Sequence, residues 1–377
     1  MPAFFFHNVK QAKPDKGSII RHFRMFAAQI KQRYRYKKPS ARYFLALPVP
    51  KQHAMSRFLL LFFVCSTTYS AVLQTPIVYQ GDIAQLALEI TKGSSTDAAK
   101  LEAITLWVAQ NIRYDWRLYN KSKAGKIPKT TIKCKSSTDC DEARQEYYNK
   151  LVIKTLRTGK GVCEHYARVE HALCRAANIQ SEVVTGKARN IELTRSFGYR
   201  NTYDSHAWNA VFIDSTWYFV DATWASGTCT RKRGKLTGFK LKLNRDWLLA
   251  APAEMRYDHL PDSIRRWSYP DTTWSKTRFR TSPFYHRREA GFHFEALTPE
   301  ANLRANKGDT VSIRLPLLPN SPEGLPSKVQ IVTKKYTAAA DIHRAADTLI
   351  VTHILPRRVG WLFVVIDGQP IYYRVKR

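Results

Sequence analysis

Residues 159–167 read Gly-Lys-Gly-Val-Cys-Glu-His-Tyr-Ala, and the chain after Cys163 continues with apolar residues at helical spacing: Tyr166, Ala167, Val169, Leu173, Cys174 and Ala177. The two glycines admit a tight, close-packed turn, so a buried helix is expected over Cys163–Ala177 with the cysteine in its first turn. Unpaired backbone N–H groups and the positive end of the helix dipole favour thiolate over thiol there. The same N–H groups suit the oxyanion of a tetrahedral intermediate. A lone cysteine at a helix start is more often a packed core residue. Its role therefore depends on partners elsewhere in the chain.

Those partners come in order. Ser205-His206-Ala207-Trp208-Asn209 opens one expected strand (Ala207–Ile213), and Val220-Asp221-Ala222-Thr223-Trp224 closes the next (Thr216–Val220). A two-residue turn at Asp214-Ser215 sets 213 against 216. His206 then falls opposite Thr223, with Asp221 diagonally across on the same face. Diagonal neighbours are about 7–8 Å apart, within reach of a His–Asp hydrogen bond. A one-residue slip would separate the two side chains across the sheet. Singly, His206 reads as a core histidine and Asp221 as a strand-end cap. Together with Cys163 they read as nucleophile, base and tautomer-fixing carboxylate.

Gly161–Ala167, His206–Val211 and Trp217–Trp224 resemble the three motifs of the transglutaminase-like superfamily, in its kyphoscoliosis-peptidase-like branch. The flanks Ala98–Asp115 and Trp247–Trp267, the latter with Pro252-Ala253-Glu254 and His259-Leu260-Pro261, are similar too, so the resemblance runs from Thr91 to Trp267. It implies an α+β, papain-like core: a cysteine helix packed on an antiparallel sheet bearing His and Asp. It also implies amide or peptide bond chemistry through a thioester, without a cofactor. Hydrolysis is the preferred outcome; protein crosslinking by a lysine amine, or a non-catalytic binding protein that keeps the fold, are the alternatives. One residue departs from the family pattern. His165 stands where a small residue is usual, and would narrow the cleft, retune the thiolate or point to solvent. Trp208 and Trp224 either wall the cleft or fill the core. His165 and His171 do not share a helical face at ligand spacing, so no metal is expected.

Working outward, Asp97–Ile112 has helical periodicity, whereas the polar stretches 117–150 and 227–242 read as surface loops that rim the cleft and set substrate choice. Residues 268–291 read as a linker. Beyond them, Val311–Leu315, Val329–Val332, Leu349–Ile354 and Trp361–Ile366 are short strand-like runs, and Asp367-Gly368 signals a hairpin turn. A small all-β, immunoglobulin-like sandwich is expected over 292–377, as a binding or positioning module.

At the other end, Met55-Ser-Arg, the apolar Phe58–Cys65 and the small residues Thr68 and Ser70 make the three parts of a signal peptide over 55–70. The apolar run is too short to span a bilayer. Translation is expected to start at Met55, with 1–54 an upstream mis-annotation or a basic extension, and the product secreted or periplasmic, with cell-surface association open. In an oxidising compartment Cys134 and Cys140 can close a small disulfide loop, or remain exposed thiols. The net charge of +31 divides by region. Residues 1–54 hold twelve Lys/Arg against one acid, and Arg57 adds one more, leaving +19 for residues 71–377. That excess suits an anionic polymer or cell-surface partner beside a protein or peptide substrate. No nucleic-acid-binding motif accompanies it.

Overall fold

The first helices form where side-chain caps meet apolar periodicity. α1 (Ile83–Thr91) is capped by Asp82 and α2 (Asp97–Asn111) by Thr96. A two-residue strand β1 (Arg113–Tyr114) then leads into α3 (Trp116–Lys123) and the long α4 (Ser137–Thr158). β2 (Lys160–Gly161) pairs with β1 and delivers the chain to α5 (Cys163–Ala176). The protein is described by a computed structural model covering residues 77–377, apart from 128–131, 133–134, 190–202, 268–273, 286, 288–290, 296, 299–302, 320 and 377. The expected signal peptide (55–70), the segment 1–54 and Cys134 lie outside the described residues.

β3 (Gln180–Arg189), β4 (Tyr203–Ile213) and β5 (Thr216–Val220) follow, then α6 (Ala222–Ser226), a hairpin of β6 (Gly227–Lys232) and β7 (Lys235–Leu241), α7 (Pro252–Met255), β8 (His259–Pro261) and α8 (Ile264–Trp267). Strands β5-β4-β3-β8 make one antiparallel sheet. Asp214 and Ser215 both have positive φ, 48° and 62°, as a hairpin turn matched to strand twist requires. The alternation of β4 assigns its two faces. Val211 and Ile213 join Leu101, Ile104, Val108, Val169 and Leu173 of α2 and α5 in one core. Trp208 and Ala210 join Val184, Phe219, Trp247, Met255 and Trp267 in another. Burial of each such side chain contributes about 1.5–3 kcal/mol. Gly186 of β3 is needed at this layer, because a Cβ would lie 2.1 Å from the Leu260 carbonyl oxygen and 2.8 Å from the Trp208 ring.

The two stretches expected as rim loops are largely regular. Residues 117–150 contain most of α3 and the front of α4, a helix in which only Val152 and Thr155 are buried. With so little of its surface against the core, its sequence has almost no apolar period. Residues 227–242 form the β6–β7 hairpin, turning at Arg233 and Gly234 with φ of 50° and 79°.

The expected linker 268–291 is also structured in part. It contributes α9 (Lys276–Thr281) and β9 (Phe284–Tyr285), and Trp274, Phe279, Phe284 and Tyr285 are buried. Arg189 of β3 is only 2% exposed and fastens this segment to the β5-β4-β3-β8 sheet. Its guanidinium donates to the carbonyls of Tyr257 (2.7 Å) and Pro283 (3.0 Å) and lies over the Phe279 ring.

The C-terminal region is all β. β9, β10 (Leu303–Arg304), β12 (Val329–Val332), β13 (Thr337–Ala339), β16 (Trp361–Ile366) and β17 (Gln369–Lys376) form one sheet. β11 (Thr310–Pro316), β14 (Asp341–Ala345) and β15 (Thr348–Ile354) form the other. Ile313, Leu315 and Val351 meet Ile331, Val364 and Tyr373 in a shared core that also takes Tyr257, Leu260 and Trp274 from the preceding segment. Asp367 and Gly368 turn with positive φ, as their sequence requires. Among the described residues no helix is long and apolar enough to cross a membrane.

Candidate active site

Cys163, His206 and Asp221 come together at one end of the sheet. Cys163 is the first residue of α5, half-buried, with a free thiol. The first-turn N–H groups of such a helix have no intrahelical acceptor. His206 lies on β4, its side chain 8% exposed, and its Nε2 is 2.7 Å from Oδ2 of the fully buried Asp221. Its other ring nitrogen makes no bond to Asp221, and Cys163 is close enough to favour the charged ring. Burial disfavours the imidazolium, but the Asp221 charge and hydrogen bond, with Cys163 adding to them, lift His206 to about 10. Burial likewise opposes the Asp221 carboxylate, yet His206 and His259 hold its pKa below the usual carboxylate range.

The β4–β5 register is the one expected, with 213 against 216 and 209 against 220, but the ladder ends there. His206 has no Thr223 opposite it. The chain leaves the sheet at Asp221, which N-caps α6: its Oδ1 accepts from Trp224 N at 3.0 Å. Capping orients the carboxylate so that Oδ2 faces the histidine. The His–Asp bond therefore spans the open end of the hairpin and is not a diagonal pair within a ladder.

Two residues that the sequence analysis gave no role complete the arrangement. His259, fully buried on β8, places Nε2 3.2 Å from Asp221 Oδ2 and Nδ1 2.7 Å from Asp258 Oδ1. It is packed among Trp208, Trp224 and Trp247, with ring centroids at 4.9, 4.6 and 5.6 Å. Burial pulls its pKa down, but Asp258 and Asp221 outweigh that and raise it; with a carboxylate oxygen facing each ring nitrogen, both nitrogens donate. Glu170, two turns along α5 from Cys163, is the second. Burial pushes it up to about 8, and the nearby Asp221 charge adds to this against the hydrogen bonds from Thr105 and Ala222. Thr105 Oγ1 lies 2.6 Å from Glu170 Oε1 and 2.9 Å from the Leu101 carbonyl. The Thr105 hydroxyl donates toward Glu170 and the Leu101 carbonyl, and its bond to Glu170 works against the upward shift. The adjacent Asp258-His259 in the closing segment was the signal available for the first residue; a glutamate inside an apolar helix face was the signal for the second.

His206, Asp221 and His259 offer three ligand atoms within 4.8 Å of one another. The 2.7 Å His206–Asp221 separation is that of a shared proton, shorter than the roughly 3.3 Å between neighbouring donors on a tetrahedral ion with bonds near 2.0 Å.

His165 is half-buried. It folds back at the start of α5, its Nδ1 accepting from Val162 N at 3.4 Å, and a Cβ on Gly161 would lie 2.3 Å from its own. Burial, with Lys154, lowers its pKa against the pull of Asp115, which keeps the ring neutral and able to accept. Trp208 is 1% exposed and stacks near His206 as a core residue, whereas Trp224 is half-buried with its ring 5.3 Å from His206. Cys174 is buried and Cys229 half-buried, and neither is in a disulfide. Cys140 is disulfide-bonded.

A helix presenting a cysteine at its first turn, packed on an antiparallel sheet that presents a histidine and runs into a capping aspartate, is the core of a transglutaminase-like domain. Residues 131–222, which contain all three side chains, match the Transglutaminase-like superfamily. Within that superfamily the chain is similar to the kyphoscoliosis-peptidase-like branch. It is 26% identical to kyphoscoliosis peptidase of Mus musculus over 215 residues (56% of this chain, 28% of that one) and 26% identical to kyphoscoliosis peptidase of Homo sapiens over 205 residues (54% and 27%). The matched segment thus spans less than a third of the length of these curated relatives. A solved structure described as a TGase aligns at 19% identity, covering 40% of this chain and 32% of that chain, with a TM-score of 0.26.

Proposed function

We propose that this chain is a thiol enzyme acting on amide or peptide bonds. Cys163 attacks the carbonyl carbon as a thiolate, and His206, holding the thiol proton, delivers it to the departing amine as the C–N bond breaks. Asp221 keeps His206 in the tautomer that faces the thiol. The resulting thioester is resolved by water, with His206 now accepting the water proton and the thiol restored on release of the acid. The observation that carries this reading is an imidazole held at 2.7 Å by a buried carboxylate and close enough to a helix-start cysteine to feel its charge. Hydrolysis is favoured over transfer to a lysine amine by the peptidase relatives alone. Secretion or a periplasmic location belongs to the same proposal; the disulfide at Cys140 fits an oxidising compartment.

The test is iodoacetamide alkylation across pH, read at each cysteine by mass spectrometry. A thiolate held by His206 makes Cys163 react fast near about pH 6, where Cys229 hardly reacts, and His206→Ala abolishes the difference. Slow labelling of Cys163 that the substitution leaves unchanged refutes the proposal. Fast labelling is followed by a peptide-library digest with and without an added lysine-mimicking amine, which separates hydrolysis from transfer.

A further inference from the structure

Two elements outside the triad carry nine cations and no acid. α3 has Arg117, Lys121 and Lys123; residues 227–242 have Arg231, Lys232, Arg233, Lys235, Lys240 and Lys242. All except Arg231 are exposed. The Asn120 amide joins the elements into one face, donating to the Leu236 carbonyl at 2.8 Å and accepting from Leu236 N at 3.1 Å.

This face is tied to the catalytic end at two places. Arg113 N and Asp115 N, just ahead of α3, donate to the carbonyls of Gly159 and Gly161, both at 2.8 Å, so the start of α3 is bound to the loop that delivers Cys163. Tyr119 donates to Asp204 Oδ2 at 2.6 Å, and Lys123 pairs with the same carboxylate. Asp204 precedes His206 by two on β4, which puts them on one face about 7 Å apart. With Asp204 engaged by Tyr119 and Lys123, the remaining like charges repel one another, and an anionic occupant relieves that repulsion. The exposed apolar residues among them, Leu241 (49%) and Leu243 (39%), are aliphatic. Single-stranded nucleic acid would call for exposed aromatic rings to stack its bases; leucines among cations suit a polypeptide.

We propose that the α3–hairpin face is the docking strip for an acidic segment of the substrate polypeptide, a run of Asp or Glu flanking the bond presented to Cys163. The proposal rests on the thiol-enzyme reading for what happens at Cys163, but not for binding. The strip is tested on the full chain with Cys163→Ala, by fluorescence anisotropy of a fluorescein-labelled Glu-rich decapeptide and its Gln-for-Glu counterpart. The Glu peptide should bind at least about tenfold tighter, more so at low salt, and the combined K232E, R233E and K235E changes at the exposed hairpin tip should cost about tenfold. In the chain with Cys163 intact, saturating Glu peptide should slow alkylation of Cys163. Equal binding of the two peptides, indifference to the charge reversal, or binding that leaves Cys163 unprotected each overturns the proposal. So does displacement of the peptide by an oligonucleotide or anionic vesicles at lower charge concentration. Slow alkylation of Cys163 without any peptide overturns the enzyme reading instead, and the anisotropy still decides the strip.

Discussion

Replacing His259 by Phe keeps a ring among Trp208, Trp224 and Trp247 but deletes both of its N–H donors. Two losses follow. Asp258, 1% exposed, keeps a buried carboxylate without the 2.7 Å charge-assisted bond to Nδ1, and Asp221 loses the 3.2 Å bond to Nε2. Removing one partner from a buried ion pair costs about 3–5 kcal/mol. The bond to Asp221 adds about 1.5–3 kcal/mol, less whatever His206 and Trp224 N retain. His259→Phe should therefore destabilise the chain by roughly 4–6 kcal/mol in urea titration. Adding Asp258→Asn, which removes the buried charge that had faced Nδ1, should restore about half of this.

The effect on Cys163 is separable from stability. Asp221 would remain capped to Trp224 N, but with one fewer restraint on Oδ2 and one fewer positive charge beside it. His206 would be held less firmly, and Cys163 alkylation near about pH 6 should fall about tenfold for each unit by which the His206 pKa drops. The measurement is the alkylation rate against pH in the double variant, under conditions where it is fully folded. If that profile matches the wild type, His259 is only packing, and the claim that it holds Asp221 for catalysis is refuted.

Three further outcomes follow from the geometry. Glu170, raised to about 8, favours the folded state only while protonated: its contribution is full below the unfolded carboxyl value near 4.5 and is lost as pH rises through about 8. Glu170→Gln should remove this slope, gaining on the wild type by a few kcal/mol between pH 5 and 8 in urea titration; parallel curves would refute it. His206, raised to about 10, should show an NMR ring titration far above the usual 6.5, and Asp221→Asn should bring it back toward that value. Its stabilising contribution is full below about 6.5 and lost as pH rises through 10, so the wild type should lose stability in that window while Asp221→Asn does not. Arg189→Met strands the carbonyls of Tyr257 and Pro283 and should cost about 2–4 kcal/mol, with early hydrogen exchange at Phe284 and Tyr285.

What the sequence made legible was local and periodic. The α5 helix was readable because its apolar face is buried, and the β4–β5 register because a two-residue turn leaves one pairing. The C-terminal strands were readable because they alternate, as in β11 and β12, or run continuously apolar up to a turn, as in β16. α4 was hidden because a helix with two buried residues carries no stripe, although Ser136 at its start and Gly159 in the left-handed conformation after its end were stop signals in plain view. The β6–β7 hairpin was hidden because its partner is another exposed element: Leu236 is its buried residue, and the latch is an amide side chain from 116 positions away. His259 lies further still from local inference. Nothing about His-Leu-Pro announces that β8 will lie antiparallel beside β3, two strands from β5, and set a second imidazole against the carboxylate that closes β5. A pattern argument reaches the residues that one helix or one hairpin brings together. The residue that holds Asp221 from behind is brought there by the order of four strands, and that order is fixed by the sheet as a whole.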